Sequence, residues 1–221
     1  MNDLTLLIPA KKEAQCLPVV LNSIRHLACK KYVIIEKSDT ETYEAIRELN
    51  CEILFQSGKG YGNALITGID NAKTDYVCIF NADGSFDEKS LIGMLDLAEK
   101  KFDFVFASRY QEEGGSDDDT MLTLIGNKFF SLLGKVFFSL KINDILYTYV
   151  LGRTKAFRKL ELNSQDFRLC VEIPIKVGKK KFHYINIPSF EKKRLFGEKK
   201  VNEFKDGFTI LIYMILSFFK S

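Results

Sequence analysis

The sequence predicts an α/β protein with a mostly parallel central sheet and helices on both faces. Through the first half of the chain, short apolar runs alternate with segments whose apolar residues recur at helical spacing, as in repeated strand–helix units. The run at residues 76–80 is apolar throughout, which is typical of a strand buried on both faces. The chain has 221 residues, enough for one large domain with a full core.

The predicted strands of the first half are the apolar runs at residues 4–8, 32–36, 51–55, 76–80 and 104–107. Helical spacing of apolar residues indicates helices between them, at residues 17–27, 41–49, 64–72 and 91–98. The strict alternation of the two kinds of segment is the reason to expect parallel strands joined by helices.

The second half is less regular. Residues 121–140 carry a broad apolar face at helical spacing, which we interpret as a core helix, while its density of Phe residues leaves a lipid contact open. Residues 181–188 are predicted to form a strand. The final apolar run, residues 208–219, is too short for a membrane span. It is either a core helix or an interfacial helix.

The distribution of charge and the cysteine pattern limit the kinds of function that this chain is expected to have. The net charge is +3, but residues 171–205 contain ten basic and four acidic residues, and residues 112–119, EEGGSDDD, are acidic. The basic run is either a solvated face or a membrane contact, and nucleic-acid binding is not expected because no nucleic-acid-binding module is present. Five scattered cysteines without a CxxC pair indicate reduced thiols. With no signal peptide before the first strand, a cytoplasmic location is expected.

The central feature is residues 56–87, QSGKGYGNALITGIDNAKTDYVCIFNADGSFD. It is predicted to form a glycine-rich loop, a helix, a strand and an acidic turn. In an open α/β sheet, ligands bind beyond the carboxyl ends of the strands. Asp83 in this turn could hold a divalent cation, which could in turn hold a diphosphate. The glycine pattern fits neither a P-loop nor a dinucleotide fingerprint.

Taken together, GKGYGNALITGI, the following strand and NADGSFD resemble the core of the family 2 glycosyltransferases. The branch that they resemble includes dolichol-phosphate mannose synthases and related bacterial polyprenyl-phosphate or cell-envelope glycosyltransferases. The resemblance implies the GT-A fold and an inverting transfer from a nucleotide-diphospho-sugar to a polyprenyl-phosphate or glycan acceptor. It also implies a single domain, residues 1–221, with a nucleotide-sugar half at 1–110, an acceptor half at 111–205 and a C-terminal apolar helix at 206–221.

The resemblance also implies the donor site. The family's Asp-x-Asp turn corresponds to Asn81 and Asp83, the expected ligands of Mg²⁺ or Mn²⁺; Asp83 is a catalytic residue, and Asn81 brings an oxygen ligand without charge. PAKKE resembles the family's Pro-Ala-x-Asn-Glu turn, and the second predicted strand ends in Glu36, where the family has an Asp that helps to hold the base. The expected nucleotide-binding residues are Pro9, Ala10, Glu13, Glu36, Gly58, Lys59, Gly62 and Ala82.

The acceptor half contains further segments that match the family. SRY supplies Arg109, NDILY supplies Asp144 and FRLCVEI supplies Glu172, and all three are expected to be catalytic. A hydroxyl acceptor requires a general base, for which Asp144 and Glu172 are the candidates, whereas a lipid phosphate requires none. The basic residues expected to bind phosphate or the acceptor are Arg109, Arg194 and Lys199.

Two alternatives remain open on the sequence. Asn81, Lys12 and the altered segment after Glu36 favour a catalytically impaired nucleotide- or sugar-binding relative. A nucleotidyltransferase is weaker, because the lysine-rich signature of that class is missing at residues 9–13. Peripheral attachment at the inner face of the membrane is the expectation that follows from the basic run and the apolar C-terminal segment.

Overall fold

A computed structural model of the chain describes residues 1–197 and 200–219. Its core is a seven-stranded sheet in the order β3-β2-β1-β4-β7-β5-β8. The strands are β1 Leu4–Pro9, β2 Lys30–Ile35, β3 Glu52–Phe55, β4 Tyr76–Ile79, β5 Phe104–Ser108, β7 Val150–Arg153 and β8 Tyr184–Pro188. The five strands predicted in the first half are all present, within a few residues at each end.

The sheet is mostly parallel, as predicted. β7 is the exception, because it pairs antiparallel with both β4 and β5. Sequence reasoning missed β7: it has four residues, one of them Gly152, which is too short a pattern to reveal a period. All four residues of β4 are buried, in agreement with the apolar run that predicted it.

Helices cover both faces of the sheet and bury two apolar clusters against it. They are α1 Leu17–Ser23, α2 Thr40–Ile46, α3 Tyr61–Asn71, α4 Glu88–Lys100, α5 Met121–Phe138, α6 Thr154–Lys159, α7 Leu169–Lys179 and α8 Glu203–Phe219. α1 ends earlier than the predicted 17–27, although Ile24 and Leu27 beyond its end remain buried.

The structure corrects the expectation that residues 121–140 form a core helix. The buried residues of α5 are Asn127, Phe130 and Gly134, and most of its large apolar side chains face outward. Within the described part of the chain, α5 is the one helix long and apolar enough to cross a membrane by length and composition. α8 is similar, since its buried residues are Ile210 and Met214.

The chain segments just before and just after α5 contact the same side chain of the domain. Asp119, just before the helix, and Asp144, after it, both bind the Arg109 side chain. Phe130 and Gly134 pack inward, the latter against Ile145. α5 therefore lies along the surface of the domain.

A second, two-stranded sheet brings the C-terminal segment across the carboxyl edge of the main sheet. It pairs β6 Gly115–Ser116 with β9 Phe190–Glu191. Beyond β9, the Lys192 amide donates to the Ser85 carbonyl and the Leu195 amide donates to the Asp83 carbonyl. This segment therefore lies against the acidic turn that follows β4.

Candidate active site

A cavity of 640 Å³ opens at the carboxyl edge of the main sheet. This is a typical volume for a small-molecule site. Its floor comes from the ends of β1, β2 and β4, which are neighbours in the sheet. Its roof comes from the first turns of α5 and α8, with Leu122 and Phe204 among the lining residues. Parallel strands thus bring distant parts of the chain to one site, as the sequence predicted.

Most of the strand-end residues expected at the donor site line this cavity. They are Pro9, Ala10, Glu13, Glu36, Asn81, Ala82 and Asp83. Sequence reasoning did not single out Lys11 and Gln56, which also line it. The Lys11 ammonium pairs with the Glu36 carboxylate at 2.9 Å.

Glu13 is held by the turn after β1. The Lys12 amide donates to the Asp39 carboxylate at 2.6 Å, and the Glu13 amide donates to the Thr42 hydroxyl at 3.0 Å. Burial raises the pKa of Glu13, and Lys200, 3.8 Å away, lowers it in part. Glu13 is therefore an incompletely neutralised carboxylate in the wall of the cavity.

The glycine-rich loop contributes differently from the prediction. Gly58, Lys59 and Gly62 were expected to contact the nucleotide, but the loop reaches the cavity through Gly60 and Tyr61. Lys59 is exposed. Gly62 is packed against the Ser164 carbonyl so closely that a Cβ would collide with it. Glycine is thus needed at position 62 because another part of the backbone approaches it closely inside the protein.

The acidic turn holds Asp83 between two partners. One carboxylate oxygen accepts a hydrogen bond from the Ser85 amide at 3.0 Å, and the other pairs with Arg194 Nη2 at 2.8 Å. Arg194 Nε and Nη1 are buried and have no hydrogen-bond partner among the described residues. Buried guanidinium donors rarely stay unpaired, so these two N–H groups suit an anionic ligand.

The protein oxygens at the turn fit a hard divalent cation. Asn81 donates its amide N–H to the Ser85 hydroxyl at 3.1 Å, so its Oδ1 is not needed for that contact. Across the described residues, no group of three or more His, Cys, Asp or Glu side chains forms a metal site. Mg²⁺ sites commonly combine one or two carboxylates with substrate phosphates. Asn81 and Asp83 suit such a site.

Arg109 does not point at the cavity as a free cation, which corrects its expected role in phosphate binding. Its Nε and Nη2 donate to both oxygens of Asp144, at 2.7 and 2.9 Å, and its Nη1 donates to Glu191 at 2.9 Å and Asp119 at 3.3 Å. Burial lowers the pKa of Arg109, but the Asp144 and Glu191 carboxylates more than compensate, and the pKa is raised overall. The guanidinium is a structural cation that holds carboxylates in place.

Asp144 and Glu172, the expected general bases, are both fully buried and do not line the cavity. Asp144 is bound by Arg109. Glu172 accepts hydrogen bonds from the Asn163 and Ser164 amides at 2.9 and 2.8 Å and pairs with Lys176 at 2.6 Å. Neither carboxylate can reach an acceptor, so a base role for them conflicts with the structure.

Among the described residues, the acids of this half that line the cavity are Asp118, Asp119, Glu191 and Glu203, with Asp206 just beyond them. The acidic run at 112–119 was the available signal for the first two, but it had no assigned role. Arg194 lines the cavity as expected. Lys199 lies outside the described residues, and its neighbour Lys200 lines the cavity.

The fold and the strand-edge cavity define a nucleotide-diphospho-sugar transferase of the GT-A type. Residues 5–161 match the family described as Glycosyl transferase family 2, and the chain belongs to this family. It is therefore a glycosyltransferase, as the sequence predicted.

Two relatives come from Haloferax volcanii. Glycosyltransferase AglJ is 22% identical over 210 residues, which cover 94% of this chain and 69% of that protein. The low-salt glycan biosynthesis hexosyltransferase Agl6 is 23% identical over 223 residues, which cover 97% of this chain and 53% of that protein. The chain thus spans about half the length of Agl6.

Solved structures confirm the GT-A fold. Glucosyl-3-phosphoglycerate synthase from Mycobacterium tuberculosis, in complex with Mn²⁺, UDP and phosphoglyceric acid, aligns with a TM-score of 0.74 at 14% identity, covering 97% of this chain and 78% of that chain. Mannosyl-3-phosphoglycerate synthase from Rubrobacter xylanophilus aligns with a TM-score of 0.70 at 14% identity, covering 97% and 72%.

Proposed function

We propose that this glycosyltransferase moves a sugar, with inversion, from a nucleotide-diphospho-sugar to a polyprenyl-phosphate or cell-envelope glycan acceptor. The observation that supports the donor most strongly is Arg194, which pairs with Asp83 through one nitrogen and leaves two buried donors unpaired among the described residues. Guanidinium groups bind phosphate oxygens through paired hydrogen bonds. A diphosphate beside Asp83 would satisfy both donors.

In this arrangement, the nucleoside lies over the ends of β1 and β2, against Pro9, Ala10 and Glu36. The diphosphate lies at the end of β4. Glu13 and Lys200 lie between these two parts of the site in the cavity wall and form an ion pair of 3.8 Å. The Lys200 ammonium is a cation that can turn toward the phosphates.

Transfer breaks the bond between the anomeric carbon and the diphosphate, and negative charge then grows on the leaving group. Arg194 is already placed to stabilise that charge, so little reorganisation is needed. Asp83 and the Asn81 amide oxygen would hold a divalent metal, which when bound adds Lewis-acid stabilisation of the same charge. Attack by the acceptor from the opposite side inverts the anomeric centre.

The structure also supports membrane attachment as part of this proposal. α5 and α8 lie side by side, with the Phe137 and Phe218 rings 5.2 Å apart near their C-terminal ends. Their first turns both line the cavity. No acidic residue occurs at 121–138 or 207–219, and large apolar side chains face outward, with Phe204 78% and Met121 72% exposed.

Such an apolar face next to the basic segment before α8 suits an anionic bilayer surface. We therefore propose that the protein sits on the cytoplasmic face of a membrane, with α5 and α8 embedded along the interface and the cavity opening next to the lipid.

Calorimetry with UDP and GDP, each with and without Mn²⁺, tests the donor site. We expect one of the two nucleotides to bind, and Arg194→Ala to weaken its affinity roughly 10- to 100-fold, because hydrogen bonds to a charged partner contribute about 1.5–3 kcal/mol. Arg25→Ala, which changes an exposed arginine that does not line the cavity, is the matched control and should bind normally.

Asn81 favours a second candidate, an impaired nucleotide-binding relative, because the metal site has one charge fewer than an Asp-x-Asp turn. Donor turnover separates the two functions. A protein that binds nucleotide but releases none from a nucleotide sugar with any acceptor is the impaired relative. Failure to bind either nucleotide contradicts the donor site itself.

A further inference from the structure

The first two turns of α5 form a polar corner of the cavity that the donor does not use. Asp119, Thr123 and Asn127 line it. Asn127 is 6% exposed, its amide N–H donates to the Thr123 carbonyl at 3.0 Å, and its Oδ1 is buried without a partner among the described residues. An unpaired buried acceptor is costly. This oxygen therefore points to a ligand that donates a hydrogen bond.

Asp119 lies just before the same helix and presents further acceptor capacity. Its two oxygens accept from the Tyr110 hydroxyl at 2.6 Å and from Arg109 at 3.3 Å. Each carboxylate oxygen can accept two hydrogen bonds, so both can accept another from a ligand. Burial raises the pKa of Tyr110, which keeps the phenol protonated as a donor to Asp119.

The charge around this corner disfavours an anionic ligand. Among the described residues of this corner, Arg109 is the cation, and four of its five N–H groups donate to carboxylates. Those carboxylates are Asp119, Asp144 and Glu191, so the cluster carries more negative than positive charge. A lipid phosphate would meet like charge, whereas a neutral hydroxyl group can donate to the oxygens of Asp119 and Asn127.

The corner is joined to the donor side by aromatic packing. The Arg109 guanidinium lies 4.5 Å from the centre of the Tyr147 ring, and that ring is 5.1 Å from the Phe86 ring of the acidic turn. Along α5, Asn127 lies about 9 Å beyond the first residue of the helix. One sugar residue with its hydroxyl groups can bridge from Asn127 to Asp119.

We propose that this corner binds the acceptor, that the acceptor is a neutral polyhydroxylated molecule such as a sugar, and that Asp119 is the general base. The inference rests on the proposed transfer from a nucleotide-diphospho-sugar. Asp119 takes the proton of an acceptor hydroxyl, and the oxygen forms a bond to the anomeric carbon. The bond from that carbon to the diphosphate breaks, and the nucleoside diphosphate leaves with the electron pair.

The test compares two acceptor chemistries on the full chain. UDP-glucose and GDP-mannose are each supplied with Mn²⁺ and either methyl glycosides of glucose, mannose and galactose or the short isoprenoid citronellyl phosphate. Mass spectrometry identifies the product, and nucleotide release gives the rate. The variants are Asp119→Asn, Asn127→Leu and, as the control, Asp117→Asn, an exposed carboxylate in the same acidic run.

We expect product on a methyl glycoside. Asp119→Asn should lower its kcat/KM about 100-fold or more, as for loss of a general base. Asn127→Leu should raise the KM for the glycoside. All three variants should bind UDP or GDP as the unmodified protein does, which also shows that they are folded, and Asp117→Asn should be fully active.

Transfer to citronellyl phosphate alone, or full activity of Asp119→Asn on a glycoside, overturns this inference and leaves the proposed function standing. Absence of nucleotide release with every donor and acceptor contradicts the proposed function instead, and the inference with it.

Discussion

Asn81 and Arg194 together set the charge at the diphosphate position. Where the family resemblance implies two carboxylates, this chain has one, and Asp83 is already paired with Arg194 at 2.8 Å. A half-buried arginine that can bind phosphate compensates for part of the lost metal affinity, because both cations stabilise the same leaving group. Nucleotide affinity should therefore depend less on metal here than in a site with two carboxylates.

Restoring the second carboxylate tests this account of Asn81. Asn81→Asp should tighten Mn²⁺ binding in the presence of nucleotide by about tenfold, or about 1.4 kcal/mol, since it adds a charge to an oxygen-ligand site. Asn71→Asp, at the exposed end of α3, is the control for added charge. Calorimetry decides the matter, and equal Mn²⁺ affinity in the unmodified protein and Asn81→Asp would mean that residue 81 does not face the metal.

The ionised Glu13 carboxylate should lower the stability of the folded protein. Burial raises its pKa, so the folded protein holds this proton more tightly than the unfolded chain, and the ionised form destabilises the fold. The cost is present at neutral pH and disappears as pH falls through the folded pKa. We expect Glu13→Gln to melt higher than the unmodified protein at pH 7–8, with the difference shrinking toward pH 4.

Exposed Glu48 provides the comparison, and Glu48→Gln should melt like the unmodified protein throughout that pH range. A Glu13→Gln variant that melts lower at pH 7–8 would show that the Lys200 pair outweighs burial at this carboxylate.

At the scale of elements, Glu172 shapes the donor loop through an intermediate segment. It caps the amides of Asn163 and Ser164 at the start of the 163–166 turn. That turn packs against the glycine-rich loop, where the Asn63 amide donates to the Gln165 carbonyl at 3.0 Å. Through Glu172, α7 therefore supports the start of α3, and its Cys170 also lines the cavity.

Glu172→Gln should lower the free energy of unfolding by about 2–3 kcal/mol, since it removes a charged hydrogen-bond acceptor and leaves Lys176 without its carboxylate partner. Chemical denaturation measures it. Glu161→Gln, which breaks the exposed pair with Lys180, should change stability little. Activity lost without loss of stability in Glu172→Gln would restore Glu172 as a catalytic residue.

The apolar patterns predicted the positions of helices and strands better than they predicted whether protein or solvent lies against each apolar face. β1 to β5 were readable because their runs are short, apolar and regularly separated by helices. The helical period of α5 was readable too, but a period does not tell whether protein or solvent lies against the apolar face. The correction came from the exposure of most large apolar side chains of α5.

At the scale of the molecule, the roles of some site residues were predictable from the sequence and those of others were not. Strand-end residues such as Pro9, Glu36 and Asp83 were predictable because parallel strands place their carboxyl ends at one edge. Arg109, Asp144 and Glu172 matched motifs, but motif position does not reveal that their charges are used on one another or on backbone amides. Asp119 was visible only as part of an acidic run.

Membrane attachment is the whole-molecule prediction, and liposome co-sedimentation tests it. Binding should occur with phosphatidylglycerol vesicles at low salt and decrease as salt rises. Phe204→Ser with Phe208→Ser should abolish it by removing two exposed apolar groups of α8. Ile92→Ser, an exposed apolar residue on α4, is the control. Protein that stays in the supernatant with anionic vesicles at low salt would contradict attachment.

The central claim is that a nucleotide diphosphate binds at the carboxyl edge of the sheet, with its phosphates between Asp83 and Arg194. A crystal structure of the full chain with UDP or GDP and Mn²⁺ tests it most directly. The account predicts the nucleoside over the ends of β1 and β2 and the diphosphate within hydrogen-bond distance of Arg194 Nε and Nη1. Nucleotide bound at the opposite edge of the sheet, or phosphates out of reach of Arg194, would contradict it.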